Sequence, residues 1–190
     1  MTTQFAHYKH FLIEAGTTWI QSQRDIYYGR GKPLSKSEIE VLKNFFNADI
    51  LKAVRICPVS KIENPAFLND LKQMGLPVSF NFSDSLGITF LETIVVATPK
   101  LHDFHWMSLL FHECIHVMQY TLLGLSGFVE RYVEGLVSND FIYNEISLEK
   151  DAYFIQNRFD ENPDLPFSVL DVLSSRLQQR GWDEVKVHDI

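Results

Sequence analysis

The sequence predicts an α+β fold, and three observations carry that prediction. Two β-branched and aromatic runs, Gly87–Phe90 and Thr93–Ala97, sit close together in the middle of the chain. From Phe104 onward the apolar residues fall at helical spacing, in one long segment and several shorter ones. Strands therefore come first and helices afterwards, without the regular alternation of an α/β fold.

The elements follow in order. Phe5 to Tyr28 reads as a helix with apolar residues at Phe11, Leu12, Trp19, Ile20 and Ile26, stopped by Gly29-Arg30-Gly31-Lys32-Pro33. Ser35 opens a capping box with Glu38, and Ile39, Val41, Leu42, Phe45 and Phe46 carry that helix to about Lys52. Ala53–Val59 is a short strand, and residues 63–86, broken by Pro65, Gly75 and Pro77, are irregular. Gly87–Phe90 and Thr93–Ala97 form a hairpin, with Pro99 beyond it. Asp103 caps a helix Phe104–Leu123 closed by Gly124. Shorter helices cover Gly127–Val137, Leu148–Phe159 and Phe167–Arg180, the last ended by Gly181.

Bulk properties set the boundaries. A chain of 190 residues with 46% hydrophobic content and fifteen phenylalanines can bury a core as one domain, residues 1–34 being a helical appendage to it. A net charge of -7 argues against nucleic acid, whose phosphates require a basic face. The start of the chain lacks the basic and apolar regions of a signal peptide, and no run is apolar enough to span a bilayer. A cytoplasmic protein is expected, with Cys57 and Cys114 as ordinary thiols rather than a disulfide.

The chemistry is concentrated in His112-Glu113-Cys114-Ile115-His116, an HExxH pattern inside the long helix. Histidines at i and i+4 project from one helical face, one turn apart. They can fill two corners of a zinc tetrahedron at about 2.0–2.1 Å. Glu113 lies round the helix from His112, where it reaches a water held by the ion rather than the ion itself. From the chain's own composition such a match arises by chance in roughly one sequence in sixty. The neighbours Leu109, Leu110, Phe111, Ile115, Val117 and Met118 make this a buried helix. Burying two histidines and a glutamate there is costly unless they are paired or bound to metal. Gln119 shares the histidine stripe and is a candidate to orient a ligand; His105, further along it, is not a ligand candidate.

An open zinc site needs a third protein ligand, usually from a later helix. The stretch from Tyr143 to Tyr153 offers Glu149, with small Ala152 one turn on, and Glu145 in the loop before it. Asp151 points to another face. Tyr132, Tyr143, Tyr153 and His102 are candidates to stabilise developing negative charge.

These residues resemble the zincin metallopeptidases of the glutamate-ligand branch, which carry HExxH and then a later ExxA helix, here Glu149-Lys150-Asp151-Ala152. The chain is most similar to bacterial domains combining HExxHxxQ (Gln119), a Leu123-Gly124 step, a Phe128–Tyr132 helix and an ExxAY helix ending at Tyr153. The resemblance covers residues 87–159 and departs from the branch by placing Tyr153 where an aspartate is common. It implies a zincin-like fold, Glu149 as third ligand, and a hairpin strand bordering the cleft.

The expected function is a zinc-dependent peptidase or amide hydrolase acting on a peptide or protein. In it, Glu113 takes a proton from zinc-bound water and returns it to the leaving amine. A second reading, from another class, is a zincin-fold binding module whose zinc is structural or dormant. No feature of the sequence names the substrate or the oligomeric state.

Overall fold

β3, the middle strand of the sheet, is the stretch Thr93-Ile94-Val95-Val96-Ala97, in which every residue is buried. Such a continuous apolar run is what a strand covered on both faces requires. The computed structural model describes residues 6–78, 81–98 and 106–182. In chain order its elements are α1 (Lys9–Tyr28), α2 (Lys36–Leu42), α3 (Ala48–Ala53), β1 (Arg55–Val59) and α4 (Phe67–Gln73). They continue with β2 (Gly87–Phe90), β3 (Thr93–Ala97), α5 (Trp106–Ser138), α6 (Ser147–Glu161) and α7 (Val169–Gln179). The fold is α+β, with seven α-helices and a small sheet among the described residues.

The strand order is β1-β3-β2. β1 runs parallel to β3, Arg55 facing Thr93 and Val59 facing Ala97. β2 is antiparallel to β3, with Gly87 opposite Val96 and Phe90 opposite Thr93. The expected hairpin is therefore present, and β2 ends the sheet order on the side that meets α5.

Helix boundaries depart from expectation at two places. The helix expected from Ser35 to about Lys52 is two helices. Ser35 and Glu38 do form the capping box, but Asn47 accepts a hydrogen bond from Ile50 N–H and starts α3 afresh. Phe45 and Phe46 occupy the turn between them and point into the core. Within 63–86, expected to be irregular, α4 forms because Leu68 and Leu71 bury one short apolar stripe. The long helix is broken at Gly124, as expected. That residue adopts φ 67°, ψ 170°, a conformation glycine takes without strain, and the helix resumes at once to give two halves of α5. The expected cap at Asp103, the residues His102 and His105, and Phe5 lie outside the described residues.

α1 is not remote from the rest, because Leu12 and Ile20 are buried and the helix packs on α5 and the sheet. α6 lies along α5 with Leu148, Ala152 and Ile155 fully buried. α7 then closes on both. Phe111, at the centre of α5, stacks on Phe159 of α6 at 4.1 Å between centroids and meets Phe45 edge-on at 5.3 Å. This aromatic core holds α5 and α6 in register. Cys57 and Cys114 are both buried and unpaired. Among the described residues no helix is long and apolar enough to cross a membrane.

Candidate metal centre

α5 presents His112 and His116 one turn apart, and α6 delivers Glu149 opposite them from its first turn. Their ligand atoms lie within 4.8 Å of one another, a group that can hold a metal ion. His112 Nε2 and His116 Nε2 are 3.1 Å apart. Glu149 Oε2 is 3.7 Å from the first and 3.5 Å from the second. Ligands about 2.0–2.1 Å from a tetrahedral ion are separated by roughly 3.3 Å, so the three edges match such a site. All three side chains are buried.

The hydrogen bonds around the histidines settle which nitrogen carries the proton. Asp160 accepts from the Ser108 hydroxyl at 2.7 Å, so Ser108 Oγ is left to accept from Gln156 Nε2 at 2.8 Å. Gln156 Oε1 therefore faces His112 Nδ1, also at 2.8 Å, and can only accept from it. On the other ring, Gln119 Nε2 donates to the Leu148 carbonyl at 2.8 Å, which turns Gln119 Oε1 toward His116 Nδ1 at 2.8 Å. Both rings carry hydrogen on Nδ1, and both Nε2 atoms are aimed at one point. Two imidazole Nε2 atoms and a carboxylate oxygen facing one another need a cation among them, either a metal ion or a proton.

Glu149 Oε2 is one of the few buried polar side-chain atoms with no hydrogen-bond partner among the described residues. Its other oxygen, Oε1, accepts from the Tyr132 hydroxyl at 3.0 Å. Burial disfavours charge on Glu149, yet the two histidines outweigh it and hold the carboxyl well below the usual carboxylate range. Burial likewise opposes charge on His116, but Glu149 and, less strongly, Glu113 raise its pKa to about 9. Without metal, a proton on His116 is the cation that balances the cluster. Burial and the Glu149 charge push Tyr132 and Tyr143 upward, which keeps both hydroxyls protonated as donors.

Glu113 stands beside the three, facing the edge strand. The Thr89 hydroxyl on β2 donates to Glu113 Oε2 at 2.6 Å. The other oxygen lies against Gly87, where an added Cβ would come within 2.6 Å of it. Only glycine leaves room for the carboxylate at that point of β2. The strand expected to border the site therefore shapes it directly.

The remaining candidates separate clearly. Glu145 is exposed and pairs with Lys150, away from the cluster. Asp151 is fully buried on the opposite side of α6, bound by Arg176 at 2.6 Å and Arg180 at 2.7 Å. The ring of Tyr153 packs on His112 at 4.6 Å but is 45% exposed. Tyr132 touches the Glu149 carboxylate, which makes it a positioning residue. Ser108, Gln156 and Asp160 were not singled out from the sequence. Gln156 falls seven residues after Glu149, on the same face of α6, and that spacing is the signal that could have found it.

No protein-family model, curated protein or solved structure matches this chain. The class the fold and the cluster define is an α+β protein with a buried His-His-Glu group suited to a metal ion.

Proposed function

We propose that this chain is a zinc-dependent hydrolase of peptide or related amide bonds, built on a zincin-like arrangement. One observation carries the reading: both Nε2 atoms and the unpartnered Glu149 Oε2 converge on one point, with the Glu113 carboxylate beside them. Two imidazoles and one carboxylate are a donor set that suits zinc. Structural zinc sites are closed by four protein ligands, whereas three gather among the described residues here. A zinc ion held by His112, His116 and Glu149 would supply Lewis acidity, bringing water's pKa to near 7 and polarising a carbonyl.

The chain's own residues then divide the work. Gln156 and Gln119 keep Nε2 of each histidine free for the ion. Tyr132 holds Glu149 through Oε1. Thr89 fixes one oxygen of Glu113, and the carboxylate accepts a proton as water adds to the amide carbon. The C–N bond breaks, the proton passes from Glu113 to the leaving nitrogen, and a carboxylic acid and an amine result.

The test is cleavage of a peptide library by zinc-loaded protein, read by mass spectrometry. Glu113→Gln should keep its zinc and lose turnover by about a hundredfold or more. Equal cleavage by the variant and wild type overturns the mechanism. Zinc retention with no cleavage by either protein favours the dormant binding module.

A further inference from the structure

A cavity of about 110 Å³ runs from the cluster into the interior. One end carries the polar groups of His112, Glu113, His116 and Glu149. Beyond them the walls are apolar: Trp19 and Ile20 from α1, Phe67 and Leu71 from α4, Phe128 and Val133 from the second half of α5. Trp19 packs edge-on against Phe67 at 6.3 Å and Phe90 at 5.1 Å, giving an aromatic wall. No lysine or arginine is among the lining residues, so an anionic group finds no partner there. A surface cleft formed by Asn81, Phe82, Asp84, Ser85 and Tyr143 shares Phe82, Ser85 and Tyr143 with the cavity and marks its mouth.

Gly16 lines the same space from the interior of α1. Its backbone is helical, and a Cβ there would make ordinary contact with Val129 Cγ1 at 3.4 Å. Neither backbone strain nor a clash demands glycine, although glycine weakens a helix interior relative to alanine. What its missing side chain does supply is room in the cavity. Protein interiors are close-packed, and a void of this kind is held open at the expense of lost contacts. Apolar cavities of about 150 Å³ lined by Leu, Ile and Phe stay dry and take up a benzene ring.

We infer that this cavity is the specificity pocket of the proposed hydrolase. Its substrate carries one bulky apolar group, a single aromatic ring or a branched aliphatic chain of that size, adjoining the bond cut beside Glu113. This rests on the hydrolase reading of the cluster. α1 and α4, which lie before the metal helix in the chain, each contribute a wall of the pocket, with β2 and α5 supplying the rest.

Two measurements separate the pocket from the metal. In the first, fluorobenzene is titrated into metal-free protein and followed by ¹⁹F NMR. A saturable shift is expected in wild type and its loss in Gly16→Leu; no saturable binding in wild type overturns the pocket. In the second, zinc-loaded protein is titrated with acetohydroxamate, isobutyl hydroxamate and phenylacetohydroxamate. Affinity should rise about tenfold or more from the first to the last as the ring is buried, and Gly16→Leu should remove that gain. Fluorobenzene binding with no gain along the series overturns the link between pocket and metal site. Failure of the protein to bind zinc at all, with fluorobenzene still bound, overturns the hydrolase reading and this inference's substrate role with it, while leaving the cavity itself established. Should Gly16→Leu not fold, Phe67→Ala, at a half-buried position, opens the cavity instead and extends the affinity gain to a naphthyl arm. No change in preference in that folded variant contradicts the assignment.

Discussion

His112 and His116 are each held by a glutamine whose own orientation is dictated by a neighbour, Ser108 in one case and the Leu148 carbonyl in the other. Removing such partners of metal-binding histidines typically weakens metal binding by about 10–100-fold. Gln156→Ala and Gln119→Ala should each do so, with competition against a chromophoric chelator as the readout. Affinity unchanged in both would show that the histidines do not need these partners. Protons offer a second test at the same scale. The pKa of His116 is raised to about 9 in the metal-free cluster, against an unfolded value of about 6.5. A raised pKa stabilises the fold fully below the unfolded value, and that contribution fades as pH rises through about 9. At pH 7 the proton is therefore in place, and a zinc ion binding there would displace it. Calorimetry in buffers of different ionisation enthalpy should show about one proton released per zinc at pH 7. Zero release would contradict the protonated cluster. The pair His112 and His116 was legible in the sequence because i and i+4 share a helical face whatever the tertiary structure. Gln156, Thr89 and Gly87 were not, because their roles depend on how α6 and β2 are set against α5.

At the scale of elements, the assembly of the site reduces to the placement of α6. Glu149 and Gln156 look toward α5 from one face of this helix, while Asp151 on the other is clamped by Arg176 and Arg180 of the α7 region. Those arginines in turn lie over Phe154 and Trp182. Loss of a buried, charge-assisted hydrogen-bond set of this kind costs roughly 1.5–3 kcal/mol per bond removed, discounted here because both arginines are partly exposed. Asp151→Ala should lower the unfolding midpoint in urea and leave His112, His116 and Glu149 in place, so zinc affinity should hold. A loss of zinc affinity equal to that of a ligand variant would place Asp151 in the site after all. The hairpin, β1, α6 and α7 followed from local patterns such as the β-branched runs Gly87–Phe90 and Thr93–Ala97 and the stop at Gly181, which adopts φ 71°. The division at Asn47 did not follow from pattern, because the apolar spacing from Ile39 to Phe46 continues through it. α4 was hidden because a seven-residue helix carries too few turns for periodicity to declare itself.

Across the whole molecule, the same α5 that centres the core also carries both histidines, so a metal ion bound there would be thermodynamically linked to the fold. A ligand that binds only the folded state stabilises it by about 2.7 kcal/mol at a hundred times its Kd. For a chain of this length that corresponds to a rise in melting temperature of roughly 5–11 °C, reversed by chelator. The cavity belongs to this scale too, since its walls come from α1, α4, β2 and α5 together. No local window of sequence contains such a feature. The cluster's surroundings are apolar and aromatic. The most direct test of the account is metal analysis of protein purified without chelator, with His112→Ala alongside. One equivalent of zinc in wild type, and its loss in the variant, is the result predicted. Wild-type protein without stoichiometric metal, and unable to take up added zinc, would contradict the account.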